Sequence, residues 1–138
     1  MTRSLLLIFS TCFLGCATVP KGDIELLKPT IEAFHQAARW KDFQAIGELV
    51  VPEKKDAFIA ARRAMKDDKD LFISDYELED ARVSLDMLKA SAVSHIKWYR
   101  LPSVSEEDST VVSNWVWKNK AWRLDSQNGG PFASELKL

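Results

Sequence analysis

Cysteine is scarce in this chain of 138 residues, and both copies, Cys12 and Cys16, lie within its first sixteen positions. The rest of the chain therefore has no disulfide framework and no cysteine-ligated zinc site. The net charge is also small, because 19 basic residues oppose 20 acidic ones and no basic block is present. Binding to nucleic-acid phosphates requires clustered Lys and Arg, so a nucleic-acid partner is not expected.

Motifs that mark common enzymes and metal sites are missing as well. The sequence has no glycine-rich phosphate loop, no Gly-x-Ser-x-Gly elbow and no His-Glu-x-x-His motif. Asp67, Asp68 and Asp70 lack the central glycine and closing glutamate of a calcium loop, so we expect a solvated helix end at 66–70. No metal and no cofactor are predicted.

What remains is the composition of one globular domain. Hydrophobic residues make up 46% of the chain and charged residues 28%, as in ordinary core-forming proteins. The length also corresponds to a single domain, since domains commonly span roughly 100–200 residues.

The N-terminus has the pattern of a bacterial export signal. A positively charged start, Met1–Ser4, precedes a largely apolar run, Leu5–Leu14. This run is shorter than the roughly 18–20 residues that span a bilayer. The next segment, Phe13–Cys16, resembles a lipobox, in which the cysteine is diacylated and becomes the mature N-terminus. The resemblance implies a lipoprotein anchored in the cell envelope through Cys16.

Two other interpretations of this segment stay open. Gly15-Cys16-Ala17 also fits an ordinary signal peptidase site, which would release a soluble periplasmic or secreted protein after Ala17. A buried N-terminal helix would leave Cys12 and Cys16 without a role. By resemblance to lipoproteins, Ala17 after the cysteine implies sorting to the outer membrane, facing the periplasm.

The chain divides into a signal at 1–16, a tether at 17–23, a domain at 24–126 and a C-terminal tail at 127–138. Helical periodicity predicts a first helix from Pro29 after a leading turn at Ile24–Leu27, a second after the N-cap Asp42 and a third from Pro52. Beyond residue 70 the period changes toward two, which predicts strands at 76–85, 90–101, 110–118 and 121–124. The apolar phase of the first strand shifts along its length, which predicts a bulge near Asp80.

The register of the last hairpin, around Asn119-Lys120, can be predicted residue by residue. The pairs are Lys118 with Ala121, Trp117 with Trp122, Val116 with Arg123, and Trp115 with Leu124. A slip by one residue would scatter the tryptophans over both faces of the hairpin, so the apolar pattern specifies this register.

This order of elements predicts an α+β domain with N-terminal helices packed on a curved antiparallel sheet. Phe34 and Ala38 on the first helix, the junction Lys41-Asp42-Phe43 and the closing hairpin 117–124 resemble the nuclear transport factor 2-like superfamily. That superfamily includes polyketide cyclase and ketosteroid isomerase relatives, and it often has glycine where this chain has Lys41. The resemblance implies a cone whose active members hold Asp, His or Tyr between the first helix and the concave sheet.

The predicted interior of this cone offers little acid–base chemistry. The inward strand positions carry apolar residues, serine and tryptophan, so no catalytic residue is assigned. His35 lies within the apolar arc of the first helix, whereas His95 is predicted to face outward. The residues that we predict to line a ligand pocket are His35, Tyr76, Trp98 and Trp115. The alternative is that His35 is a satisfied structural histidine and that the tryptophans form the core.

Three functions are compatible with these features. The first is a non-catalytic binding or scaffolding domain on a lipid anchor, which contacts a second copy or an envelope protein through an apolar outer sheet face. The residues predicted on that face include Val93, Tyr99, Leu101, Val112 and Val116. The second is a pocket for a small apolar ligand. The third is an isomerase or cyclase with His35 and Tyr76 as its acid–base pair, which the lack of other inward ionisable groups disfavours.

Overall fold

A computed structural model describes residues 21–136, so the predicted signal, its lipidation site Cys16 and most of the tether lie outside the described residues. A 3-10 turn at Ile24–Leu26 leads into the first helix. The helices are α1 (Leu27–Arg39), α2 (Phe43–Leu49), α3 (Pro52–Ala64) and the short α4 (Asp67–Asp70). The strands are β1 (Leu71–Val83), β2 (Lys89–Arg100), β3 (Glu107–Lys118) and β4 (Ala121–Asn128).

The helices begin at or near the residues that the sequence indicates. The Asp42 carboxylate accepts a hydrogen bond of 3.0 Å from the Ala45 N–H, which confirms Asp42 as the N-cap of α2. Pro52 is the first residue of α3, as predicted. Helix α1 begins at Leu27 rather than at Pro29, because the first turn of a helix tolerates a residue without an N–H donor.

The four strands form one antiparallel sheet in the order β1-β2-β3-β4, against which the helices pack. All four predicted hairpin pairs are confirmed, from Lys118 with Ala121 to Trp115 with Leu124. The segment between α2 and α3 docks on the edge of β4, where the Val51 N–H donates to the Leu124 carbonyl over 2.9 Å.

Strand β1 is interrupted by two irregularities. One lies between Leu78 and Asp80 and confirms the predicted bulge. The other lies between Ile73 and Asp75. Each extra residue reverses the side-chain alternation, which hides the period of two at the start of the strand. The sequence prediction therefore began this strand at Tyr76, whereas β1 begins at Leu71.

Packed structure continues beyond residue 126. Strand β4 runs to Asn128, and the chain then turns through Gly129, whose φ of 79° is in the left-handed region that favours glycine. The Gln127 N–H donates to the Leu136 carbonyl over 2.7 Å, which holds the returning segment against β4. Phe132 and Leu136 are buried in the core.

The core lies between the helices and the inward face of the sheet. Phe34 on α1 makes edge contacts with Trp115 on β3 and with Phe132, at centroid distances of 5.9 and 6.1 Å. The predicted inward residues Ala92, Ser94 and Ile96 of β2 are all buried.

Candidate functional site

His35 occupies the predicted position inside the cone. It projects from α1, its side chain is buried, and its Nε2 lies 3.4 Å from the Oγ of Ser94 on β2. Burial lowers the pKa of the imidazole from 6.5 to about 4, because charging it would require removing an ion from water. At neutral pH the imidazole is therefore uncharged.

Tyr76 on β1 lies directly against His35. The two rings are stacked, with centroids 4.5 Å apart and planes inclined by 18°. Burial, and secondly the charge of Glu32, raise the pKa of the Tyr76 hydroxyl. Stacked rings present their faces to each other, so this contact packs the two side chains without forming a path for a proton between them.

The two tryptophans of the predicted pocket have separate surroundings. Trp115 is buried, touches Phe34 and donates from Nε1 to the Ser113 Oγ over 2.9 Å. Trp98 is half-buried and donates to the Ser109 Oγ over 3.0 Å. The structure thus brings His35 and Tyr76 into contact, while each indole N–H already has a serine partner.

A buried cluster of charges lies where α3, α4 and the C-terminal segment meet. Arg62 is 1% exposed, and its Nη1 donates to the Asp67 carboxylate over 2.7 Å and to the Pro131 carbonyl over 3.2 Å. Its Nη2 donates to Glu135. Arg100 at the end of β2 reaches the second Asp67 oxygen, with its Nε 3.1 Å away.

This cluster corrects the prediction that 66–70 is a solvated helix end, because Asp67 is fully buried. Burial raises the pKa of the Asp67 carboxyl, while the guanidinium groups of Arg62 and Arg100 oppose that shift. Sequence reasoning missed the cluster, since Glu135 is 73 residues from Arg62 along the chain. Neighbouring Asp68 is exposed, so the acidic run divides between a buried and a solvated residue.

An open groove of about 300 Å³ lies beside this cluster, between the start of α2 and the end of α3. Its lining residues are Lys41, Asp42, Phe43, Gln44, Ile59, Arg62, Arg63 and Asp68. Lys41 has a φ of 62°, and its Nζ lies 3.2 Å from the Asp68 carbonyl oxygen and 3.6 Å from the centre of the Phe72 ring. A left-handed lysine is unfavourable, because that backbone conformation favours glycine.

The outer sheet face combines polar and apolar side chains, among them Tyr99, which stacks on Phe72, and the exposed Leu101. Its shallow pocket of about 250 Å³ is lined by Asp75, Glu77, His95, Lys97 and Asp108. The His95 Nε2 lies 2.8 Å from a Glu79 carboxylate oxygen, so His95 faces outward as predicted. Of the apolar residues predicted there, Val93 and Val112 are half-buried and Val116 packs against the core.

Within residues 21–136, no group of three or more His, Cys, Asp or Glu side chains is arranged to hold a metal ion. No helix in the same range is both long and apolar enough to cross a bilayer.

No protein-family model and no curated protein matches the sequence. Solved structures do match the fold. A SEC-C motif containing protein from Rhodopseudomonas palustris is 15% identical, with a TM-score of 0.60 over 76% of this chain and 79% of its own. A domain of unknown function with a cystatin-like fold, from Nostoc punctiforme, is 15% identical, with a TM-score of 0.56 over 80% and 77%.

A third matching structure belongs to a protein with a suggested enzymatic activity. It is a nuclear transport factor 2-like family protein from Streptomyces avermitilis for which a dehydratase activity has been suggested, and it is 14% identical. Its TM-score is 0.59 over 78% of this chain and 94% of the other. At such identities the likeness concerns the fold alone. The chain therefore has the cystatin-like, nuclear transport factor 2-like fold, with helices packed on a four-stranded antiparallel sheet.

Proposed function

We propose that this protein is a non-catalytic binding domain, carried on a lipid anchor at Cys16, that takes up a small organic anion in the groove between α2 and α3. One observation carries the proposal. The interior of the cone is occupied by packed side chains, whereas the groove is open and its lining carries three basic side chains, Lys41, Arg62 and Arg63, against two acidic ones, Asp42 and Asp68.

The interior supports a structural role for the predicted site residues. His35 is enclosed by Tyr76, Phe34 and Ser94, and its pKa near 4 makes it a weak base at neutral pH. A general base works best with a pKa near the working pH. An isomerase or cyclase reaction that relies on His35 and Tyr76 is therefore disfavoured.

The groove has the character of a small ligand site. Arg62 is fixed by Asp67 and Glu135, and Lys41 is fixed above Phe72, so little side-chain entropy remains to be lost on binding. Because Arg62 is already matched by two carboxylates, Lys41 and Arg63 supply the charge for an anion. Phe43 and Ile59 offer apolar contact to the remainder of the ligand.

The binding claim is tested with benzoate, which joins a carboxylate to an apolar ring, added to the mature protein in detergent and followed by amide chemical shifts. We expect shifts at residues 41–44 and 62–63 that are lost in the double variant Lys41→Gln/Arg63→Gln. The matched control is Lys66→Gln/Lys69→Gln, which removes the same charge outside the groove and also changes a left-handed lysine, since Lys66 has a φ of 55°. Chemical-shift changes at His35 and Ser94 instead would show that benzoate binds inside the cone and not in the groove.

The anchor is tested separately, by mass spectrometry of the mature N-terminus in the native host. A diacylated Cys16 is expected, together with release of the Cys16→Ala variant from the membrane fraction. An unmodified N-terminus at Thr18 contradicts the anchor and favours soluble export.

A further inference from the structure

We propose that the domain rests on the bilayer through one end, which inserts the side chains of Ile24, Leu26 and Leu85 among the lipids. We call this set the tether end. The inference builds on the proposed anchor at Cys16 and adds an orientation, because an anchor alone leaves the domain free to tumble on its tether.

The tether end combines two segments that the fold joins. Ile24 and Leu26 lie in the turn before α1 and are 54% and 47% exposed, and Leu85 in the β1–β2 turn is fully exposed. The Gly22 N–H donates to the Met87 carbonyl over 2.8 Å, which connects the two segments. Apolar side chains grouped in this way on a surface favour contact with a partner or a membrane.

The chain leaves the domain at a fixed point. The Trp122 Nε1 donates to the Asp23 carbonyl over 2.7 Å, and a Cβ added at Gly22 would lie 2.8 Å from the Trp122 ring. The first described residues are therefore packed against the β3–β4 hairpin. Their position relative to Ile24, Leu26 and Leu85 is set by the fold.

The distance from this point to the anchor is short. From Cys16 to Lys21 the chain extends by at most about 18 Å, since each residue spans no more than about 3.6 Å. A diacylated Cys16 at the bilayer surface thus keeps the tether end close to the lipids.

The tether end carries charges of both signs. Exposed lysines lie there at positions 21, 89 and 120, and Asp23, Glu25 and Asp86 are exposed acidic residues of the same segments. The carboxylates of Asp23 and Asp86 accept hydrogen bonds from the backbone N–H groups of Glu25 and Leu88, at 2.9 and 3.0 Å. Lysines beside apolar side chains are typical of segments that lie in the membrane interface, where the ammonium groups meet lipid phosphates.

This orientation also determines where the groove lies relative to the membrane. Lys41 follows the C-terminal end of α1, and a helix of 13 residues is about 20 Å long, so the groove lies far from the tether end. Trp40, which is 74% exposed, lies at the same distant end. The groove therefore opens toward the aqueous compartment, where a dissolved anion reaches it.

The test uses single introduced cysteines in the mature lipidated protein, since acylation blocks Cys16 and the mature body has no other cysteine. Leu85→Cys and, as the matched control at the distant end, Trp40→Cys are labelled with a fluorophore and reconstituted in phosphatidylethanolamine/phosphatidylglycerol vesicles. Both positions are exposed in the structure, so neither substitution removes core packing. With a quencher carried on the lipid chains, we expect loss of most of the fluorescence at Leu85→Cys and no loss at Trp40→Cys.

Flotation with the vesicles and the mass of the mature protein separate the two proposals. A diacylated protein that floats but shows equal quenching at both positions, or none at either, overturns the orientation and leaves the anchor intact. A protein that does not float, and whose Cys16 takes up the label, overturns the anchor and the orientation together.

Discussion

The imidazole of His35 stacks on the phenol ring of Tyr76 at a centroid distance of 4.5 Å, and its Nε2 lies 3.4 Å from the Ser94 hydroxyl. A helix residue is thus enclosed by residues from two neighbouring strands. The enclosure keeps water away from the ring and favours its neutral form. The same two residues that would form an acid–base pair in a catalytic cone are here parts of its packing.

Acid should destabilise the fold through His35. The folded pKa of about 4 lies below the reference value of 6.5, so the unfolded chain binds a proton more readily as the pH falls. Stability from this residue is fully present above pH 6.5 and decreases as the pH approaches 4. The shift from 6.5 to about 4 corresponds to a loss of roughly 3 kcal/mol.

Urea unfolding at a series of pH values measures this dependence. The variant His35→Gln should lose this part of the pH dependence, while His95→Gln, at an exposed histidine, should retain it. An unchanged profile in His35→Gln would show that other groups cause the acid sensitivity.

Replacement of Asp67 should be severe. Asp67→Asn leaves the buried Arg62 and the half-buried Arg100 without their shared carboxylate, and breaking a buried ion pair costs about 3–5 kcal/mol. The matched variant Asp68→Asn, at the exposed neighbour, should change the free energy of unfolding by no more than about 0.5 kcal/mol. Chemical denaturation of both variants provides the measurement, and similar effects would contradict the buried cluster.

The segment after β4 should contribute to stability. Phe132 makes edge contacts with Phe34, Phe43 and Phe58, so Phe132→Ala should cost about 3–5 kcal/mol. Trp40→Ala removes a larger but exposed aromatic side chain and should cost no more than about 0.5 kcal/mol. Thermal unfolding that ranks these two variants in the opposite order would mean that residues 127–136 are a dispensable tail.

Substitutions at Lys41 should show how much its left-handed backbone conformation lowers the free energy of unfolding. Lys41→Gly and Lys41→Ala both remove the contacts of the ammonium group, so they differ mainly in backbone preference. At a φ of 62° the glycine variant should be more stable than the alanine variant by about 1 kcal/mol. The same pair at the exposed Asp56, inside α3, should show the reverse order, because glycine is unfavourable in a helix interior. Equal stability of the two Lys41 variants would argue against the left-handed conformation.

Local sequence patterns predict a structural feature correctly where a few neighbouring residues determine it. The hairpin register was predicted because three tryptophans and Leu124 share one face only in that pairing. The N-cap at Asp42 and the start of α3 at Pro52 follow from side-chain chemistry within a few residues. The second bulge in β1 was missed, because a reversed alternation over so few residues leaves no readable period.

The candidate site was less accessible to sequence reasoning. The sequence predicts that His35 and Tyr76 lie near each other, and their rings are in contact. The groove depends on Arg62, whose partners Asp67 and Glu135 belong to a short helix and to the C-terminal segment. Nothing in the sequence around an arginine shows that a carboxylate far along the chain will neutralise it.

The sequence by itself determined the α+β class, the order of helices and strands and the pairing of the closing hairpin. It did so because apolar periodicity and capping are local properties of the chain. The tertiary structure decided which polar residues are buried, why His35 is neutral and where an open groove remains. Those features depend on desolvation and ion pairing between distant segments, which arise only when the chain has folded.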